Sequence, residues 1–457
     1  MTIYPILTRD VARRIYRSTP LANRLVELEQ RGAPENHIES LADLVNTRLS
    51  RGEPLSRWVR YREGYAPALV SRLMELFPVE SPDSFVLDPM CGSGSTQVAA
   101  QSRGLKSVGS DVSPYAVLVS ESKTQPWGAA DADAVRAALA TLQSEQPPDP
   151  ALLGEEDAFL AKFFPEESFT SLIAIRQWIA AREGMSAAAQ RLLKVGLLAI
   201  VEDVSNRRKD GNGLATRSSS LTDVPGAYAH QLEMMLSDLR TLPLNRAPSV
   251  SQVASALDLD STIAHGRQAF GSELGAVIFS PPYANSFDYF ESYKLELLFG
   301  QFFTRESLAS ARGDLLRSYR QSGKSTPVVS LGLVELVVDE IMSRLPAKEA
   351  QRGAPDGRSR LLPNLLRGYF ADMRSVLETA YGHMPSGCRM HIVVDQSAYL
   401  GVLLPTDLLL ADIAETLGFD YTRLLICRRA KTSAQQLQSQ PLLGDVLRES
   451  VVVLTKP

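Results

Sequence analysis

Two stretches of this chain put unusual residue types where a strand would end. The first is Ser280-Pro281-Pro282-Tyr283, which follows the apolar run at 277–279. Consecutive prolines can continue neither a helix nor a sheet ladder, so what they supply is a fixed backbone direction. The second is Asp88-Pro-Met-Cys91-Gly92-Ser93-Gly94, an acidic residue leading into a glycine-rich turn. Glycines let backbone approach a ligand closely, and the N–H groups that open a helix are free donors. Asp111 closes the next apolar run, in "VGSD", where two carboxylate oxygens can take the hydroxyls of a ribose. The dinucleotide pattern needs a third glycine where Gln97 stands, and there is no Walker Lys-Ser/Thr. A nucleoside-bearing cofactor that needs no pyrophosphate cradle fits these residues best.

Such residues need a rigid frame. Residues 84–117 read as strand, glycine turn, helix, a stop at Gly104, a second strand, and a turn at Ser113-Pro114. That is the opening βαβ of a parallel α/β domain. Residues 247–259 return to the sheet, and "GAVIF" at 275–279 is the strand that delivers the prolines. "CRMHIVVDQS", "YTRLLICRR" and "RESVVVLTK" read as late strands, with "PTDLLLADIAETLGF" a capped helix between the first two. Apolar spacing at Leu69, Leu73, Leu76 and Phe77 predicts a helix over 60–77. The Pro-rich stretch within 118–150 reads as a linker, 151–242 as helical throughout, and 300–375 as helical with a loop at 347–363. The expected organisation is a helical N-terminal segment at 1–56, a catalytic domain at 57–125 and 246–457, and an inserted helical subdomain at 150–245.

"LDPMCGSGS" resembles the first motif of the S-adenosylmethionine-dependent amino-methyltransferases of DNA, and "SPPY" resembles their catalytic motif. The resemblance covers residues of about 57–122, 250–300 and 375–457. It implies a Rossmann-like α/β fold, a mostly parallel seven-stranded sheet with helices on both faces. It implies that Asp88, Cys91, Gly92, Ser93 and Gly94 surround the cofactor S-adenosyl-L-methionine, with Asp111 on its ribose. Tyr61, in "YREGYAP", would pack near it. An exocyclic base amine is a poor nucleophile because its lone pair is delocalised into the ring. The Ser280 hydroxyl and Pro281 carbonyl would accept from its N–H bonds and expose that lone pair, with Pro282 stiffening the turn. Tyr283 would stack on a base flipped from the duplex. Serine in the first place is the pattern associated with cytosine N4; adenine N6 is the alternative. An RNA amino-methyltransferase and a non-catalytic cofactor- or DNA-binding subunit are the competing readings. C5-cytosine chemistry needs a nucleophilic cysteine, normally after a proline, and Cys91, Cys388 and Cys427 all lack that context.

The sequence departs from the family pattern in its long 111–280 interval and in lacking an acidic residue after the third strand, where Ser255 stands and Asp258 comes late. Its motif order, cofactor turn first, resembles many adenine enzymes. Composition is that of a soluble globular protein, 44% apolar and 22% charged, with no membrane-span-length run and no CxxC or HxxxH metal spacing. A cytoplasmic, metal-free enzyme is expected, with double-stranded DNA as partner and a cognate restriction nuclease or defence subunit as a further one. Net charge is −4, so a DNA face must be locally basic. Residues 301–374 hold 12 Lys and Arg against 8 Asp and Glu, and target recognition is expected at 301–365. Candidate phosphate contacts are Arg207, Arg208 and Lys209 in a glycine-broken loop, and Arg312, Arg317, Arg320, Arg358 and Arg360.

Overall fold

The computed structural model describes residues 5–457 apart from 49, 63, 143–152, 183, 211–212, 218–220, 244, 285–287 and 319–330. Among them the strands are β1 (Glu35–Asn36), β2 (Phe85–Asp88), β3 (Lys106–Asp111), β4 (Arg207–Asp210), β5 (Gly213–Thr216) and β6 (Ser249–Val253). They continue with β7 (Leu274–Phe279), β8 (Arg389–Asp395), β9 (Ser397–Tyr399), β10 (Val402–Leu404), β11 (Asp420–Arg429) and β12 (Arg448–Thr455). The central sheet has the order β1-β11-β12-β8-β7-β2-β3-β6. All its pairings are parallel except those of β12, which runs against both β8 and β11. The sheet is Rossmann-like, with eight strands where seven were expected. The extra one is β1, two residues paired with Leu425 and Ile426, too short to show any apolar alternation.

The apolar runs are continuous because helices cover both faces. Phe85 and Leu87 point into a core shared with helices Thr19–Arg31, Leu259–Phe270, Leu362–His383 and Thr406–Thr416. Val86 points the other way, with Ile278, Val393 and Val451, into a core closed by helices Pro67–Leu76 and Ser95–Ser102. Leu69 and Leu73 of the first of these are completely buried, each worth about 1.5–3 kcal/mol.

The first crossovers run from β2 through β3 to β6, and the later ones from β7 to β8 on the opposite side. The carboxyl ends of β2 and β7 therefore flank the point where strand order reverses, where open α/β sheets form a crevice. Both motifs sit there, at Asp88 and just after Phe279.

Several local expectations need correction. The helix expected over 60–77 begins at Pro67, because Ala66 is extended and proline suits the first helical position. The Pro-rich stretch at 143–150 lies outside the described residues, the helix Ala129–Leu139 precedes it, and the loop expected at 347–363 begins inside the helix Leu345–Arg352. Among the described residues the 151–242 segment is interrupted by the antiparallel pair β4–β5, strands built from what looked like a basic loop. Its helices also share their core with Trp58, Tyr115, Tyr293 and Leu297 from outside the segment. The Asp238 carboxylate accepts from Leu55 N at 3.0 Å and Trp58 Nε1 at 2.9 Å, tying the segment to the N-terminal region. No helix among the described residues is long and apolar enough to cross a membrane.

Candidate active site

The glycine turn is held by the residues it encloses. Gly92 (φ +50°) and Gly94 (φ +85°) occupy left-handed backbone. A Cβ at Gly92 would come within 2.9 Å of the Tyr61 ring, and one at Gly94 within 2.6 Å of Ser120 Oγ. Glycine is thus required at both places for different neighbours. Gly92 faces the cleft, and Gly94 faces away from it, toward the helix Pro114–Thr124. Behind the turn, Lys123 is buried and donates from Nζ to the Ser93 carbonyl at 2.9 Å. Burial pushes its amine down to about 7.

Asp88 is buried beneath the turn. Its carboxylate accepts from Thr96 Oγ1 at 2.6 Å, from the Tyr65 hydroxyl at 3.0 Å and from Met90 N at 3.0 Å. Burial raises its pKa to about 7 against the pull of those donors. Asp88 therefore braces the turn from below with most of its acceptor capacity occupied. Asp111 accepts from Gly92 N at 3.0 Å and Ser113 N at 2.8 Å, one on each oxygen. Burial raises its pKa to about 6. Each oxygen keeps a lone pair for a ligand hydroxyl. Burial lifts the Cys91 thiol well above its usual range, so it packs rather than reacts.

These residues open on a cleft of about 900 Å³. Its lining runs across the carboxyl ends of neighbouring strands, from Ser280 and Pro282 after β7, through Asp88 to Ser93 after β2 and Asp111 after β3, to Ser255 and Ala256 after β6, with Tyr61 lining it as well. Tyr61 stacks on Tyr293 with centroids 4.9 Å apart, and Tyr293 also lines the cleft. Pro281 and Tyr283 do not line it. Pro281 is buried, and half-buried Tyr283 sends its hydroxyl to Glu449 Oε1 at 2.7 Å. Glu449, in β12, is itself buried and ion-paired with Arg428 of β11, its partner across the sheet. Burial and then Glu449 raise the Tyr283 pKa well above the ordinary phenol, with the Ser280 side chain acting in the opposite sense.

The candidate DNA contacts divide sharply. Lys209 is buried against Glu296 and Glu202, with its ammonium 4.3 Å from the centre of the Tyr293 ring, so it supports the aromatic wall of the cleft. Arg317 is buried on Asp372 at 2.6 Å. Both are engaged by carboxylates inside the fold, and both expectations are corrected: a basic residue in sequence cannot reveal a carboxylate that the fold brings beside it. Arg312 is held by Glu291 at 2.9 Å and Asp288 at 3.3 Å, and Arg360 by Glu349 at 2.8 Å. Arg207 bonds Thr216 and sits over the Phe163 ring. Arg208 and Arg358 are exposed, and Arg320 lies outside the described residues. The sequence reading missed Tyr65, Thr96, Tyr293 and Glu449. Tyr65 stands inside the quoted "YREGYAP" and could have been named; Glu449, far along the chain, carries no local signal.

The cleft's chemistry suits a nucleoside-bearing methyl donor. A half-buried carboxylate with spare lone pairs stands where a ribose would be held, and a glycine without a Cβ lies beside stacked aromatics. Among the described residues no cluster of His, Cys, Asp and Glu is placed to hold a metal ion.

No family model matches the chain. It is 24% identical over 457 aligned residues to the Type II methyltransferase M.BsoBI of Geobacillus stearothermophilus, across 91% of this chain and 88% of that protein. It is 23% identical over 476 residues to the Type II methyltransferase M.AvaI of Nostoc sp. (strain PCC 7120), across 95% and 93%. Among solved structures, the rRNA methyltransferase aviRa from Streptomyces viridochromogenes superimposes with a TM-score of 0.28 and 10% identity over 87% of this chain and 88% of that one. That likeness is too slight to bear on fold or function. Along nearly its whole length, the chain is similar to Type II methyltransferases.

Proposed function

We propose that the protein is a DNA methyltransferase that moves the methyl group of S-adenosylmethionine to the exocyclic amine of a flipped base, cytosine N4 before adenine N6. The observation that carries the reading is the convergence of the glycine turn, Asp111, Ser280 and Pro282 on one cleft at the strand-order switch. Similarity to Type II methyltransferases over more than nine-tenths of the chain supports it independently. It also supports a place as the modification half of a restriction–modification pair.

Asp111 would hold the ribose hydroxyls, Gly92 and Ser93 would lie along the methionine part, and Tyr61 with Tyr293 would wall the site. When bound, the cofactor supplies an electrophilic methyl on a sulfonium. The chain's own work is on the amine. Ser280 Oγ and the Pro281 carbonyl accept from its N–H bonds and hold its lone pair in line, an arrangement preorganised by Pro281-Pro282. The Tyr283 ring stacks the extruded base, offsetting the few kcal/mol that extrusion costs. Transfer would leave the methylated amine cationic, and its proton would pass to solvent water.

The test is incubation of the protein with methyl-labelled S-adenosylmethionine and, in parallel, mixed-sequence duplex DNA or RNA, followed by nucleoside mass spectrometry. Label in N4-methylcytosine is the expected result. Label in N6-methyladenine keeps the mechanism and overturns the base. Label confined to RNA, or no transfer despite cofactor binding, overturns the reading.

A further inference from the structure

Resting on the proposed DNA reading, we infer that a polar groove beside the catalytic loop reads base edges of duplex DNA next to the flipped base. The groove is open to solvent, with roughly 1570 Å³ of free space in and above it. One wall is the helix Leu345–Arg352 with the turn that follows it, carrying Lys348, Arg352 and Arg358. The other is the short helix Ala434–Ser439, carrying Gln435 and Gln438.

Three features favour a duplex as the occupant. First, the groove adjoins the catalytic motif. Tyr399, part of its lining, donates its hydroxyl to the carbonyl of Ala284, the residue after Tyr283. A duplex delivering a base to Ser280 passes over this ground. Secondly, the side chains match base chemistry. Arginine forks suit the two acceptors of guanine, and glutamine amides suit the donor–acceptor pair of adenine. Gln435 and Gln438 are exposed and three residues apart, hence on one helix face. Gln436 instead accepts from Gly401 N at 2.8 Å, which fixes that face relative to the β9–β10 hairpin. Thirdly, the charge is net positive and anchored. Asp356 is the one carboxylate of the lining; it is buried and spans Lys348 at 2.7 Å and Arg352 at 3.8 Å. Arg352 keeps 59% of its side chain exposed, and Arg358 is exposed as well. Exposed Leu361 and Leu437 stand on the same two segments, and apolar side chains suit thymine methyl groups.

Arg358→Ala and Gln438→Ala alter exposed side chains outside the cofactor cleft, so unchanged cofactor affinity and melting temperature serve as folding controls. Two readouts are taken: binding of labelled random-sequence duplex across a salt series, and the sequence context of methylated bases in a duplex library. Arg358→Ala is expected to weaken duplex binding or relax discrimination at one position by roughly 5- to 150-fold, and Gln438→Ala to relax another position. If both variants bind duplex with wild-type affinity and salt slope and mark the same sites, the groove assignment is overturned. If the variants lose duplex binding but the wild type transfers no methyl to DNA, the groove stands and the proposed function falls. If the wild type does not bind duplex at all, both fall.

Discussion

Tyr283→Phe isolates one bond. The phenol hydrogen goes to Glu449, whose other oxygen is held by Arg428, so the ring is clamped from the sheet by a buried charged acceptor. A hydrogen bond to a charged group contributes about 1.5–3 kcal/mol, and the variant should lose that much unfolding free energy. The ring itself stays. Freed from its clamp, it must be reordered at each turnover, at about 0.5–1.5 kcal/mol for an immobilised side chain. That corresponds to about a 2- to 12-fold fall in kcat, with cofactor affinity unchanged. Tyr283→Ala also removes the stacking surface, worth about 1–3 kcal/mol per base, and should fall a further 5- to 150-fold or so. Initial rates of label transfer to DNA, with calorimetric cofactor binding and thermal melts on the same samples, measure all three quantities. If Tyr283→Phe is as slow as Tyr283→Ala, the hydroxyl acts at the reacting centre and the clamp reasoning is wrong. If Tyr283→Phe turns over and melts like wild type, the Glu449 bond is idle.

Three further outcomes follow from the buried charges. Asp111, raised to about 6 in the folded protein, holds hydroxyls best when ionised, so cofactor affinity should be flat above pH 6 and fall up to about tenfold per unit below it. Titration calorimetry from pH 5 to 8 checks this; a step that persists in Asp111→Asn would assign it to Asp88 instead. Lys123, lowered to about 7, costs stability while protonated in the fold, fully below about pH 7 and not at all above its unfolded value. Lys123→Met should therefore raise unfolding free energy by up to about 5 kcal/mol at pH 6 and about 2 kcal/mol at pH 9, less one hydrogen bond; equal gains at both pH values contradict this. Lys209→Met strands Glu202 and Glu296 in the interior, and should destabilise by about 3–5 kcal/mol while leaving the salt dependence of duplex binding unchanged. A reduced salt slope would return Lys209 to the DNA face.

The opening βαβ, the strand before the prolines and the late strands were legible because each is a continuous apolar run closed by punctuation that local chemistry dictates. Glycines at 92 and 94 and the acids at 88 and 111 mark such strand ends and turns within a few residues, whereas apolar spacing alone drew the helix from 60 and passed over the start that proline sets at 67. Elements lacking a local signature were lost: β1 is two residues long, and the β4–β5 hairpin is written in basic residues that read as a loop.

Alone, the sequence determined where strands end, which backbone turns sharply there, and which side chains stand at those turns, because covalent geometry and periodicity act at short range. Which charges meet was decided only by the fold. Lys209 and Arg317 look like solvent-facing cations until helices bring Glu296 and Asp372 beside them. Glu449 becomes the partner of the Tyr283 hydroxyl because β12 runs antiparallel between β8 and β11 and delivers its first residues beside Tyr283. Electrostatic partnership falls off over ångströms in space, and distance along the chain carries almost no information about it.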